Sequence, residues 1–146
     1  MHGQCLCGQV SFAIDAPLLK LYRCHCSLCR RHTGTAANCA AIVDAACFRW
    51  LTGDGLIASW KKATGYRADF CRSCGSPVPN RLTLRDAYWV PAGLLDDSAT
   101  MSVVADFHLD SRAAWDNAAT AAASFANFPA IDEFFALMHT PAPTAE

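Results

Sequence analysis

Charge of one sign is what this sequence most plainly lacks. Twelve Lys plus Arg stand against thirteen Asp plus Glu in 146 residues. That balance excludes the strongly basic surface of a nucleic-acid binder and the acidic tail of a protein with a basic partner. Long apolar runs are missing too: hydrophobic residues make up 53% of the chain, yet no window approaches the ~18 to 20 apolar residues of a membrane span. The amino-terminal "MHGQCLCGQV" has no basic run leading into an apolar segment. These absences predict a soluble, cytoplasmic protein that acts on neither nucleic acid nor membranes. No internal repeat and no second boundary is visible. A chain of this length buries one sizeable core but not two, so we expect a single domain over 1–139 and a flexible tail at 140–146.

What is present reads first as β structure. "GQVSFAI" alternates apolar and polar from Val10 to Ile14, as a half-buried strand does. "AANCAAIV" (36–43), "CFRWL" (47–51), "DAYWVPAG" (86–93) and "ATMSVVADFHL" (99–109) are further short extended runs. Turn signals separate them: "TGDG" at 52–55, "TG" at 64–65, "CGSPVPN" at 74–80 and "LDDS" at 95–98. Short strands with frequent turns predict a mainly antiparallel β domain. The last third differs. "RAAWDNAATAAAS" (112–124) is Ala-rich and helix-compatible, weakened by Asn, Thr and Ser. In "PAIDEFFALM" (129–138), Pro129 suits a first helical position, and Ile131, Phe134, Phe135 and Met138 fall on one face, read as core packing.

Cysteine is the abundant exception. Nine cysteines in a chain without an export signal point to metal rather than to disulfides. Seven fall in three clusters: Cys5-x-Cys7, Cys24-x-Cys26-x-x-Cys29 and Cys71-x-x-Cys74. Such spacing lets a short loop bring two thiolates to one ion at ~2.3 Å each. The natural partition is four plus three: Cys5, Cys7, Cys71 and Cys74 as one closed site, and Cys24, Cys26 and Cys29 as a second. Spacing alone leaves it open whether the trio lends ligands to either pair. Cys39 and Cys47 sit singly in apolar runs and read as core residues.

Together "GQCLCGQV", "CHCSLCRRHTG" and "FCRSCGSPV", in this order, resemble the glutathione-dependent formaldehyde-activating enzyme family, Gfa, which also includes centromere protein V. The resemblance continues through "PAGLLDD" and "FHLDSRAAW" to "FANFP", covering most of residues 3–129. It implies a mainly β fold of small antiparallel sheets around zinc knuckles, shared with methionine sulfoxide reductase B and the Rab-binding zinc chaperones, with a short C-terminal helix. It implies two zinc ions per chain, a structural one at Cys5, Cys7, Cys71 and Cys74 and a second at Cys24, Cys26 and Cys29.

Chemistry supports a functional reading of the second site. Three protein ligands with a vacancy mark a zinc that binds something, whereas four close the ion off. A sulfur-rich site suits a thiol and holds it deprotonated near neutral pH. The activity implied is the reversible addition of glutathione, or a related thiol, to formaldehyde or another small electrophile, a carbon–sulfur lyase reaction. Cys24, Cys26 and Cys29 are its candidate catalytic center, and the partners implied are a glutathione-like thiol and a small aldehyde, with no nucleic acid and no membrane. Arg23, Arg30, Arg31, Lys61, Lys62 and Arg67 are cations available for the carboxylates of such a thiol, with Arg30 at the family's basic position. His25 and His32 flank the trio as candidate proton donors, and His32 also as a substrate contact. His108 reads as a packing or hydrogen-bonding residue. A non-catalytic zinc scaffold is the alternative, favored if Cys39 or a histidine closes the trio. A sulfoxide reductase needs a reactive cysteine outside the zinc sites, and the settings of Cys39 and Cys47 are too apolar for one.

Overall fold

The computed structural model describes residues 1–96, 100–116 and 127–138, and the chain divides into two units, Met1–Asp116 and Asn117–Glu146. The first unit holds the strands β1 (His2–Gln4), β2 (Ser11–Ile14), β3 (Leu19–Cys24), β4 (Asn38–Asp44), β5 (Phe48–Thr52), β6 (Ile57–Lys61), β7 (Arg67–Cys71), β8 (Asn80–Arg81), β9 (Ala87–Pro91) and β10 (Met101–Phe107), with helix α1 (Ser27–Thr33) between β3 and β4. They form a three-stranded sheet in the order β1-β2-β5, a five-stranded sheet β10-β3-β4-β9-β8 and the ribbon β6-β7.

The mainly β architecture agrees with the sequence reading, whose extended runs fall on β2, β4, β5, β9 and β10 and leave β1, β3, β6, β7 and β8 unread. Val10, Phe12 and Ile14 are buried as the alternation requires. Phe12 and Ile14 meet Leu19, Leu21, Ala41, Val43, Phe48 and Val90 in the principal core. The rings of Phe48 and Tyr88 stack at 4.0 Å, and Phe12 lies 5.4 Å from Phe48. Cys39 and Cys47 pack, partly buried, against this core. A second, smaller core gathers Cys5, Val10, Cys71 and Val78.

One pairing departs from the antiparallel expectation. β10 runs parallel to β3, from Met101 beside Leu19 to Phe107 beside Cys24. Parallel neighbors need a long connection, and here most of the chain lies between the two strands. The consequence is local: the C-terminal ends of β3 and β10 lie together, with His25 N–H donating to Phe107 O at 3.0 Å.

In the second unit, α2 spans Ile131–Met138. Its apolar stripe was expected to pack into a core, but Ile131 and Phe135 are exposed. Phe134 instead contacts Phe128 and Phe135, at ring separations of 5.1 and 5.3 Å. Of the Ala-rich stretch 112–124, residues 112–116 form an irregular turn; the rest, like the tail at 140–146, lies outside the described residues. Among the described residues, no helix is long and apolar enough to cross a membrane.

Candidate metal centers

Two turns build the four-cysteine site. In the first, Cys5 N–H donates to Val10 O and Gly8 N–H to Cys5 O, both at 2.9 Å; in the second, Cys71 N–H donates to Ser76 O at 2.9 Å and Gly75 N–H to Cys71 O at 2.8 Å. Gly8 and Gly75 close these turns at φ of 74° and 76°, the left-handed region that glycine enters without strain. In both turns the cysteine sulfurs are hydrogen-bonded within the chain. Val10 N–H reaches Cys5 Sγ at 3.3 Å, while Ser76 Oγ lies 3.4 Å from Cys74 Sγ and accepts from Leu6 N–H at 3.0 Å.

The four sulfurs lie within 4.8 Å of one another, with Cys5 to Cys7 at 3.5 Å and Cys7 to Cys71 at 3.9 Å. Tetrahedral zinc with Zn–S of ~2.3 Å requires sulfurs ~3.8 Å apart, so the donor set fits. Crowded thiols ionize unequally. Hydrogen bonds from the Ser76 hydroxyl and backbone bring Cys74 down to about 5. Cys7 is pushed up to about 12: the Gln9 backbone works to lower it, but burial and hydrogen bonding with Cys5, Cys74 and Cys71 prevail. Four neighboring thiolates need a cation among them, and a divalent metal supplies it.

The trio is built at the junction of β3 and α1. Cys24 is the buried last residue of β3, Cys26 is the N-cap of α1, and Cys29 lies one turn further along. Their sulfurs also lie within 4.8 Å of one another, and no further His, Cys, Asp or Glu among the described residues joins them. Among the described residues, neither Cys39 nor a histidine closes the set. Burial opposes ionization of Cys26, but the backbone N–H groups of Cys29 and Leu28 and the thiols of Cys29 and Cys24 outweigh it and draw Cys26 below the ordinary thiol value. Cys29 is pushed up to about 12 by burial and by its hydrogen bonds with Cys24 and Cys26.

A cavity of about 230 Å³ opens beside Cys29, with Tyr66, His32, Arg67, Asn38 and Trp89 on its wall. His32 is thus beside the trio. Its Nδ1 lies 2.9 Å from the Tyr66 hydroxyl, and burial lowers its pKa. Arg30 is placed differently: Nε donates to His25 O at 3.1 Å and Nη2 to Ser111 O at 3.3 Å. His25 is buried, its Nδ1 3.2 Å from Asp116 Oδ2 and its Nε2 3.4 Å from Asp106 Oδ1. It braces the loop between two carboxylates. Arg23 forms a two-pronged pair with Asp106 at 2.7 and 2.8 Å, and Arg31, Lys61 and Lys62 are exposed. His108 is exposed rather than packed; its φ of 59° turns the chain after β10 so that Ser111 meets Arg30.

Tyr66, Trp89 and Asn38 are site residues that motif reading missed. Each lies in a different strand or turn, and only the sheet order brings them to Cys29. The one available signal was Tyr66 itself, a large aromatic placed directly after the "TG" turn.

The family model for "Glutathione-dependent formaldehyde-activating enzyme" matches residues 1–111 of this chain. A crystal structure of a Rhodobacter sphaeroides protein is similar in fold, with a TM-score of 0.53 and 24% identity, covering 70% of this chain and all of that one. No curated protein gives a significant match.

Proposed function

The chain belongs to the glutathione-dependent formaldehyde-activating enzyme family, and from that membership we propose that it is a zinc-dependent carbon–sulfur lyase that adds a glutathione-like thiol reversibly to formaldehyde or a similar small electrophile. The observation carrying this reading is the open cluster of Cys24, Cys26 and Cys29 with a cavity beside Cys29. A closed four-thiolate site offers a substrate no position, whereas three thiolates leave one.

Zinc bound by the trio would supply the charge that keeps an incoming thiol deprotonated near neutral pH. The remaining roles belong to the chain. Cys24 and Cys26 hold one side of the site through the end of β3 and the cap of α1, and Cys29 borders the cavity. His32 contacts substrate from the cavity wall. Arg30 keeps the loop closed through the carbonyls of His25 and Ser111, leaving Nη1 for a substrate carboxylate. Cys5, Cys7, Cys71 and Cys74 hold the structural zinc and take no part in turnover. All nine cysteines are free, so the reading requires a reducing compartment, as the cytoplasm provides.

The test is consumption of free formaldehyde followed by proton NMR in the presence of glutathione. Catalysis predicts loss faster than the uncatalyzed addition and in proportion to protein concentration. An unchanged rate with a fully zinc-loaded protein rejects the assignment.

A further inference from the structure

Addition of a thiolate to a carbonyl needs more than a nucleophile. Negative charge grows on the carbonyl oxygen as the C–S bond forms, and a donor held where that oxygen will be stabilizes the transition state. Tyr66 meets this requirement on geometry. It ends the turn from β6 to β7, where Lys62 N–H donates to Tyr66 O at 2.8 Å and Gly65 N–H to Lys62 O at 2.9 Å. Its side chain shares the cavity wall with Cys29, and its hydroxyl lies 2.9 Å from His32 Nδ1. The His32 ring meets Tyr66 edge to face at 5.9 Å and Trp89 at 5.7 Å, so the group that orients the phenol is itself held by packing.

The two arginines on this wall are engaged elsewhere. Arg67 commits Nε and Nη2 to Asp69 at 2.7 and 2.6 Å, and Arg81 is paired with Asp86. We propose that Tyr66, oriented by His32, donates a hydrogen bond to the carbonyl oxygen of the electrophile and is a catalytic residue of the addition. This inference rests on the thiol–aldehyde reading above. With His32 Nδ1–H donating to the phenol oxygen, the phenol proton is free to point into the cavity. The sulfur lone pair forms the new C–S bond, the carbonyl π pair moves onto oxygen, and oxygen takes up from solvent the proton that the thiol released on binding. The sum is thiol plus aldehyde giving one hemithioacetal.

The experiment compares the zinc-loaded parent with Tyr66→Phe. Loss of a transition-state donor lowers kcat on the order of a hundredfold, with the KM for glutathione and the zinc content unchanged. Calorimetry supplies a readout independent of turnover. Affinity for glutathione alone stays the same, while affinity for glutathione equilibrated with excess formaldehyde, whose hydroxyl takes the place of the carbonyl oxygen, falls about fivefold for one lost neutral hydrogen bond. Equal kcat and equal adduct affinity in parent and variant overturn the proposal, and so does a variant that loses zinc or glutathione affinity, since Tyr66 then only supports Cys29. If Tyr66→Phe does not fold, His32→Gln is tested for the same selective loss of kcat and adduct affinity, and its absence overturns the proposal equally. A parent that binds glutathione without consuming formaldehyde rejects the functional reading, and this inference with it.

Discussion

Cys71 and Cys26 carry the same thiol but answer to different demands. Cys71 is completely buried beside Val10 and Val78, and its site joins β1 and the loop after it to the end of β7. Structural zinc in small thiolate sites contributes roughly 10 to 16 kcal/mol, as much as the roughly 5 to 15 kcal/mol net stability of a typical domain. Cys71→Ser should therefore yield insoluble or unfolded protein, and a variant melting with the parent by circular dichroism contradicts the structural-zinc assignment. Cys26 caps a helix of seven residues and is partly exposed. Cys26→Ser retains an oxygen acceptor for the cap, so the β-sheets should persist while one zinc of two is lost. Glutathione should then raise the melting temperature of the parent and not that of the variant, because only a ligand of the native state stabilizes it.

The functional loop depends on how its elements meet. β3, α1 and β10 converge at Cys24, Arg23 and His25, and Asp106 links them through both Arg23 and His25. Its hydrogen bond with Arg23, and then that with His25, brings the Asp106 carboxyl from 3.8 to about 2. A carboxylate with a depressed pKa contributes fully above its unfolded value and loses that contribution as pH falls toward the folded one. That contribution is therefore complete at neutral pH, where the thiolate sites also keep their metal. In hydrogen exchange of the zinc-loaded protein at neutral pH, Asp106→Asn should lower the protection factor of the His25 amide. An identical protection factor in parent and variant removes Asp106 from the account. Little of this junction was legible in the sequence. Cysteine spacing located the ligand clusters, because metal chemistry imposes short-range order, and period-two alternation located β2. The pairing of β10 with β3 had no local signature: it arises from sheet order over most of the chain. Asp106 looked like any strand-end acid, and Ile131 and Phe135 had the periodicity of a core helix although both are exposed.

At the scale of the molecule, both clusters and the cavity lie in the unit Met1–Asp116, and the family match ends at residue 111 within it. We place the functional unit there. A chain ending after Asp116, which keeps the carboxylate beside His25, should fold and bind two zinc ions; aggregation or loss of either metal moves the boundary toward the 1–139 read from the sequence. The central claim is that one site is closed and the other open to a thiol. The most direct measurement is the absorption spectrum of the fully cobalt-substituted protein titrated with glutathione, beside the same titration of Cys26→Ser. The account predicts two cobalt ions in the parent, a saturable change in the thiolate charge-transfer and d–d bands of one of them, and no such change in the variant. Two cobalt ions whose spectra ignore glutathione contradict it.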